Sequence, residues 1–78
     1  MQALEAAREM MEREGLTMYR VSVDTGHKPS YVQSAMRKGA IGAHVLALIA
    51  DACGYDLALV PRAGGEPIRI DPAPRGEA

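Results

Sequence analysis

The spacing of apolar residues predicts four short helices followed by a β-hairpin. In residues 2–14, Leu4, Ala7 and Met11 recur at helical intervals with charged residues between them. Gly15 then supplies a stop signal. A first helix is therefore expected over residues 2–14.

A second and a third helix are expected on either side of a glycine turn. Thr17 is a good N-cap for a helix over residues 18–25, which Gly26 closes. Pro29 suits the first position of a helix, where its missing N–H is not needed, so the third helix is placed at residues 29–38. Because the connection is so short, the two helices must cross at a large angle with their inward side chains in contact.

A fourth helix is expected over residues 43–53, where apolar residues again recur at helical spacing before Gly54. Its predicted buried side consists of Val45, Leu46, Ile49, Ala52 and Cys53. From Tyr55 onwards the apolar period changes to two, which indicates β-structure.

This change of period predicts a hairpin over residues 55–71, with its turn at Gly64 and Gly65. Residues 72–78 contain too few apolar side chains to fold and are expected to form a loose, disordered tail.

The composition is that of one small domain. A chain of 78 residues buries only a modest core, and without Phe or Trp that core must be mainly aliphatic. The single cysteine, Cys53, has no internal disulfide partner, and no segment has a signal-peptide pattern. The apolar run over residues 41–53 is too short to span a bilayer. We therefore expect a cytoplasmic protein without a membrane segment.

The formal net charge of −1 conceals an uneven distribution along the chain. Residues 16–39 contain four basic side chains and one acidic side chain, a net charge of +3. Residues 1–15 and residues 40–78 each carry a net charge of −2. A basic middle segment between acidic ends can present one positive face to nucleic acid while the whole protein stays nearly neutral.

The basic segment also has the spacing of a helix-turn-helix. Counted from Met18, apolar Val21 is fourth, small Ser22 is fifth, Gly26 is ninth and β-branched Val32 is fifteenth. The helices approach most closely at the fifth position, where a large side chain would force them apart, and the chain must turn sharply at the ninth. Through LTMYRVSVDTGHKPSYVQSAMRKG and the following HVLALIADACGYDL, the sequence resembles the Cro and phage-repressor family of helix-turn-helix regulators.

This resemblance spans approximately residues 1–57. It implies a mainly α, four-helix, lambda-repressor-like DNA-binding domain over residues 1–54, and the hairpin looks like an appendage seen on some mobile-element members. It also implies a phage or mobile-element transcriptional repressor that binds double-stranded DNA. Two residues depart from the family pattern. His27 stands where Val or Ile is usual, and Gly39 comes one residue later than usual, which predicts a slightly longer third helix.

In such a motif the helix over residues 29–38 lies in the major groove and its first turns read base edges. The expected base contacts are Ser30, Tyr31, Gln33 and Ser34. Gln33 is expected to be the main reader, because its amide can form two hydrogen bonds with adenine. The expected phosphate contacts are Thr17, Lys28, Arg37 and Lys38. Exposed N–H groups at the starts of both helices are expected to help them.

Other interpretations of the same residues stay open. Gln33 and Ser34 are also typical of a solvated helix face, and Tyr31 can cap the core with its ring. Lys28, Arg37 and Lys38 can likewise form a solvated basic surface. The alternative function is an antitoxin-like or other protein-interaction module that uses this fold without a regulatory DNA site of its own.

A homodimer is expected, because one helix-turn-helix buries too little surface to select a DNA site alone. The hairpin is the candidate interface, since it would otherwise leave apolar faces in water. The predicted interface residues are Leu57, Leu59, Ile68 and Ile70. In the alternative arrangement the hairpin folds back on the first and fourth helices of its own chain.

No enzyme activity, metal site, cofactor or small-molecule ligand is predicted. His27, His44 and Cys53 do not share a metal-binding spacing. Nothing places a nucleophile beside a base, and no glycine-rich phosphate loop follows a strand. A domain of this size also has little room for a closed substrate pocket.

Overall fold

The computed structural model describes residues 1–74, which form four α-helices and a two-stranded antiparallel hairpin. The helices are α1 (Ala3–Arg13), α2 (Met18–Asp24), α3 (Tyr31–Arg37) and α4 (Ala43–Cys53), and the strands are β1 (Leu57–Leu59) and β2 (Ile68–Ile70). The predicted succession of four helices and a hairpin in a mainly helical domain is thereby confirmed. Within residues 1–74, every helix falls short of the length and apolar character that a membrane span requires.

Local hydrogen bonds define the start of the first two helices. The N–H of Gln2 donates to Glu5 Oε1 over 3.2 Å, and the N–H of Arg20 donates to Thr17 Oγ1 over 3.0 Å. The prediction that Thr17 caps α2 is therefore confirmed. After α2 the backbone reverses at Gly26, whose φ of 79° lies in the left-handed region that favours glycine.

The third helix is shorter than the sequence predicted. It begins at Tyr31 instead of Pro29 and ends at Arg37, so the predicted bounds of residues 29–38 are wrong at both ends. Pro29 and Ser30 form the middle of a β-turn, which the N–H of Tyr31 closes by donating to the Lys28 carbonyl over 3.0 Å. Proline is as well suited to the second position of such a turn as to the first position of a helix.

The core lies between the helices, because α1 and α2 both pack on α4 and α2 also packs on α3. Every helix contributes to the central cluster of buried residues: Ala7, Met11, Val21, Val32, Met36, Ile49 and Cys53. These side chains are aliphatic or contain sulfur, as the absence of Phe and Trp requires. Tyr31 and Tyr55 pack against the edge of this cluster and are half-buried.

The fourth helix is buried on more sides than its pattern predicted. Ile49 and Cys53 are buried as expected, whereas the other members of the predicted buried side are only half-buried: Val45, Leu46 and Ala52. Three residues that the pattern did not select are buried as well: Ala47, Leu48 and Ala50. The reason is that both strands contact α4 in addition to the two helices that pack on it.

One face of the hairpin carries the apolar side chains of both strands. Leu57 pairs with Ile70 and Leu59 with Ile68, so these four side chains lie on the same face of the sheet. The strands are joined by a wide loop, not by a tight turn at the two glycines as predicted. In this loop the N–H of Gly64 donates to the Pro61 carbonyl over 3.3 Å.

After β2 the chain returns to the fourth helix. The N–H of Ala73 donates to the carbonyl of His44, in the first turn of α4, over 3.0 Å. Ala73 belongs to the segment 72–78 that was predicted to be a loose tail, and it is half-buried. Residues 75–78 of that segment lie outside the described residues.

Candidate nucleic-acid interface

Ser22 connects α2 to α3 at the point where they meet. The residue is fully buried. Its Oγ donates to the Met18 carbonyl over 2.7 Å and accepts the N–H of Val32 over 3.0 Å. Val32 lies in the first turn of α3, where backbone N–H groups have no partner within the helix. The Ser22 hydroxyl supplies that partner and thereby ties the start of α3 to the middle of α2.

The turn between α2 and α3 is held by further internal hydrogen bonds. Thr25 is fully buried, and its Oγ1 donates to the Val21 carbonyl over 2.8 Å. The N–H of His27 donates to the Ser22 carbonyl over 2.9 Å. Gly26 lies between Thr25 and His27 with its backbone in the left-handed region. Together with these hydrogen bonds, it restricts the turn to few conformations. The orientation of α3 relative to α2 is consequently well defined.

His27, one of the two departures from the pattern of the family that the sequence resembles, packs as an aromatic ring. Its imidazole stacks on the ring of Tyr31, with the two centroids 3.8 Å apart and the planes 6° from parallel. Its Nε2 is buried and, among residues 1–74, has no hydrogen-bond partner. The half-buried imidazole therefore provides a flat packing surface at a position where the resemblance expects an aliphatic residue. The ring of Tyr31, one of the predicted base readers, is largely engaged by His27 and the core.

The outward side of α3 and of the turn before it is polar. Ser30, Gln33 and Ser34 are all exposed, whereas Val32 and Met36 on the inward side are buried. Two hydroxyl groups and one amide offer both donors and acceptors for hydrogen bonds. This side of the helix has the functional groups that base edges require.

Basic side chains flank α3 at both ends. Lys28 precedes the helix, Arg37 is its last residue and Lys38 follows, and all three are exposed. Salt bridges within residues 1–74 join Arg13 to Glu9, Arg20 to Asp24 and Arg69 to Asp56. Lys28, Arg37 and Lys38 stand outside these pairs, so their charges are available to an external anion.

The backbone N–H groups at the start of α3 are mostly used within the chain. Tyr31 donates to the Lys28 carbonyl, Val32 to Ser22 Oγ and Ser34 to the Ser30 carbonyl. At the start of α2 the N–H of Arg20 is likewise used, since it donates to Thr17 Oγ1. An anion at this surface would therefore depend on side-chain groups such as that of Lys28 more than on free backbone N–H groups.

An open groove of about 410 Å³ lies between α2 and α3. Its lining combines side chains from both sides of the turn: Thr17, Met18, Tyr19, Pro29, Ser30 and Gln33. Met18 and Tyr19 are apolar for most of their length, and their exposed fractions are 37% and 61%. The sequence did not predict these two residues as part of the site, because a helical pattern alone does not separate exposed apolar positions from buried ones.

The four residues predicted for a dimer interface divide into two pairs. Leu57 and Ile70 are half-buried where the strands contact α4. Leu59 and Ile68, nearer the loop, are exposed, as is neighbouring Val60. The hairpin thus folds back on its own chain at its base and leaves an apolar tip in solvent, which we define as Leu59, Val60 and Ile68.

Cys53 lies away from the polar face of α3, in the core. Burial raises the pKa of its thiol, and the negative charge of Glu14 raises that pKa further. Within the described part of the chain, no three His, Cys, Asp or Glu side chains form a group that could hold a metal ion. Glu14 also accepts a hydrogen bond from the hydroxyl of Tyr55 over 3.2 Å.

No protein-family model, curated protein or solved structure matches this chain. Its function is therefore inferred from the residues and the geometry described above.

Proposed function

We propose that this protein is a sequence-specific transcriptional regulator with a lambda-repressor-like fold that reads the major groove of double-stranded DNA with α3. The observation that carries the proposal is the buried Ser22 hydroxyl bound to the N–H of Val32. It fixes α3 across α2 while Gln33 and Ser34 stay exposed on the outer side. A rigid helix with a polar outer side is what base readout requires.

Gln33 is the main base reader in this proposal. Its exposed amide can bind one adenine through two hydrogen bonds: the amide N–H donates to N7, and the amide oxygen accepts from the N6 amino group. Ser30 and Ser34 contribute single hydrogen bonds to neighbouring base edges. Tyr31 contributes less through its ring, since that ring stacks on His27 and supports the start of α3.

Lys28, Arg37 and Lys38 attract the phosphate backbone from the two ends of α3. They are exposed and stand outside the salt bridges described above. Contacts of this kind position the protein on the duplex without selecting a sequence. Residues 16–39 carry a net charge of +3 and therefore attract DNA, although the chain as a whole has a net charge of −1.

The protein acts as a homodimer in this proposal, with the apolar tip of the hairpin in the interface. Leu59, Val60 and Ile68 have exposed fractions of 59%, 71% and 65%. Pairing two hairpins around a twofold axis would remove these side chains and the open strand edges from water. Two copies of α3 would then bind the two halves of an inverted repeat. The resemblance to phage repressors favours repression as the outcome.

The test is retention of the protein on duplex DNA at low and moderate salt, followed by selection of bound duplexes from a random pool. We expect binding that weakens steeply as salt rises, because bound phosphates release their counterions. The selected duplexes should share an inverted repeat. Absence of binding at low salt, or selection of unrelated duplexes, would contradict the proposal.

The exposed hairpin tip also favours a second candidate function, a protein-interaction module of the antitoxin type. Such a module would use Leu59, Val60 and Ile68 to bind another protein. It would not be retained on duplex DNA at either salt concentration. The retention experiment therefore separates the two candidates.

A further inference from the structure

We infer that the groove between α2 and α3 receives the 5-methyl group of a thymine, with Met18 and Tyr19 as its apolar walls. This inference rests on the proposed function, because it names the base pair that the same surface prefers. It adds two specificity residues, Met18 and Tyr19, to those on α3.

The composition of the groove is the first argument. Met18, Tyr19 and Pro29 supply apolar surface, while Gln33 and Ser30 supply hydrogen-bonding groups next to it. In the major groove an A·T pair presents the N7 acceptor and N6 donor of adenine beside the methyl group of thymine. An amide adjacent to apolar walls matches that combination, whereas a G·C pair has no methyl group to place against the walls.

The charge of the segment that forms the groove is the second argument, and it favours DNA as the occupant. Residues 16–39, which contain the whole lining, carry a net charge of +3. Lys28 lies next to Pro29 in the lining and stays outside the salt bridges of residues 1–74. Duplex DNA is a polyanion whose major groove displays the methyl groups of thymine. A basic segment that encloses an apolar groove is complementary to both features.

The rigidity of the two walls is the third argument. Ser22 Oγ bonds to the Met18 carbonyl on one helix and to the N–H of Val32 on the other. Met18 on one wall of the groove, and Val32, which precedes the lining residue Gln33 on α3, are thus bound to the same buried hydroxyl. A groove held this way can discriminate on the presence of a single methyl group, because it does not close when that group is missing.

The experiment uses the duplex that the protein itself selects from a random pool. Each thymine in turn is replaced by deoxyuridine, which removes only the 5-methyl group, and the dissociation constant is measured. At one thymine in each half-site we expect binding to weaken about fourfold, the effect of leaving one methyl group without its apolar contact. In Tyr19→Ala and Met18→Ala the thymine and deoxyuridine duplexes should bind nearly equally well.

Val23→Ala is the matched control, because Val23 is an exposed apolar residue of α2 that does not line the groove. It should retain the full difference between thymine and deoxyuridine. The inference is overturned, while the regulator proposal stands, if no replacement of thymine by deoxyuridine weakens binding. It is also overturned if the difference in affinity between the thymine and deoxyuridine duplexes persists in both Tyr19→Ala and Met18→Ala. If no duplex is selected at all, the proposed function fails and the inference falls with it.

Discussion

The hydroxyl of Ser22 lies 3.0 Å from the backbone nitrogen of Val32, which is ten residues further along the chain and on the next helix. Both residues are fully buried. A single small side chain therefore performs two tasks. It lets α2 and α3 approach closely, and it satisfies a backbone donor that the helix itself leaves unpaired. The orientation of the proposed reading helix depends on this contact.

Replacing Ser22 by alanine should lower the free energy of unfolding by about 1–3 kcal/mol, because the N–H of Val32 would stay buried without an acceptor. Urea denaturation measures the change. Ser34→Ala is the matched control, since Ser34 lies exposed on α3, the helix that contains Val32, and should change stability by less than about 0.5 kcal/mol. Equal effects of the two substitutions would show that the Ser22 bond has no special role.

Gln33→Ala should relax sequence preference while leaving the fold intact, because Gln33 is exposed. Discrimination against the wrong base pair should fall by about 1–3 kcal/mol at one position of the selected site. Competition between the selected duplex and single-base variants measures this loss. If discrimination is unchanged at every position, Gln33 does not read a base.

Lys28→Ala should weaken binding to all duplexes by a similar factor. The slope of log K against log salt concentration should become shallower by about 1 if Lys28 neutralises one phosphate. A salt titration monitored by fluorescence anisotropy gives the slope. Arg62→Ala removes an exposed charge from the hairpin loop and should leave the slope unchanged. If the loss of affinity in Lys28→Ala instead differed between duplexes of different sequence, Lys28 would contact a base.

Ile68→Lys should convert the proposed dimer into a folded monomer. Ile68 is exposed in the single chain, so lysine fits without disturbing the core, but two lysines in a twofold interface would carry unpaired charge. Sedimentation equilibrium measures the mass, and circular dichroism verifies the fold. Val23→Lys makes the same chemical change at an exposed site on α2 and should remain dimeric. A dimer that survives Ile68→Lys would exclude the hairpin tip as its interface.

Cys53 should react slowly with iodoacetamide in the folded protein and rapidly in urea. Burial and the charge of Glu14 raise the pKa of its thiol, so the reactive thiolate is scarcer in the folded state than in the unfolded state. Because this pKa is raised by folding, the linked contribution to stability is present below the unfolded pKa and is lost as pH rises through the folded pKa. Equal rates in both states at pH about 8 would contradict this, given an ordinary cysteine pKa near 8.5.

Much of the local structure followed from single residues and their spacing. The helical recurrence of Leu4, Ala7 and Met11 and the cap at Thr17 predicted elements that the structure contains. The predicted beginning of α3 at Pro29 was wrong, because proline fits the second position of a β-turn as well as the first position of a helix. Whether Pro29 begins a helix or a β-turn depends on which group accepts the N–H of Val32. That acceptor is the hydroxyl of Ser22, which lies on another helix.

The candidate site was predictable to a different extent. The polar positions Gln33 and Ser34 could be selected because the glycine turn and the helical spacing set the register of α3. The groove walls Met18 and Tyr19 could not, because their exposure depends on the angle between two helices. The stacking of His27 on Tyr31 could not be predicted from the apolar pattern either, because His27 lies in the turn and Tyr31 begins α3.

The kind and order of the elements could be predicted from the sequence, because caps, glycine turns and apolar periodicity act through bonds and contacts between near neighbours. Tertiary packing determines which faces of these elements are covered. It buries Leu48 as well as Ile49 on α4, and it half-buries Leu57 of the hairpin while leaving Leu59 in solvent. Burial depends on which distant segments arrive at a surface, and a one-dimensional pattern of apolar residues does not contain that information.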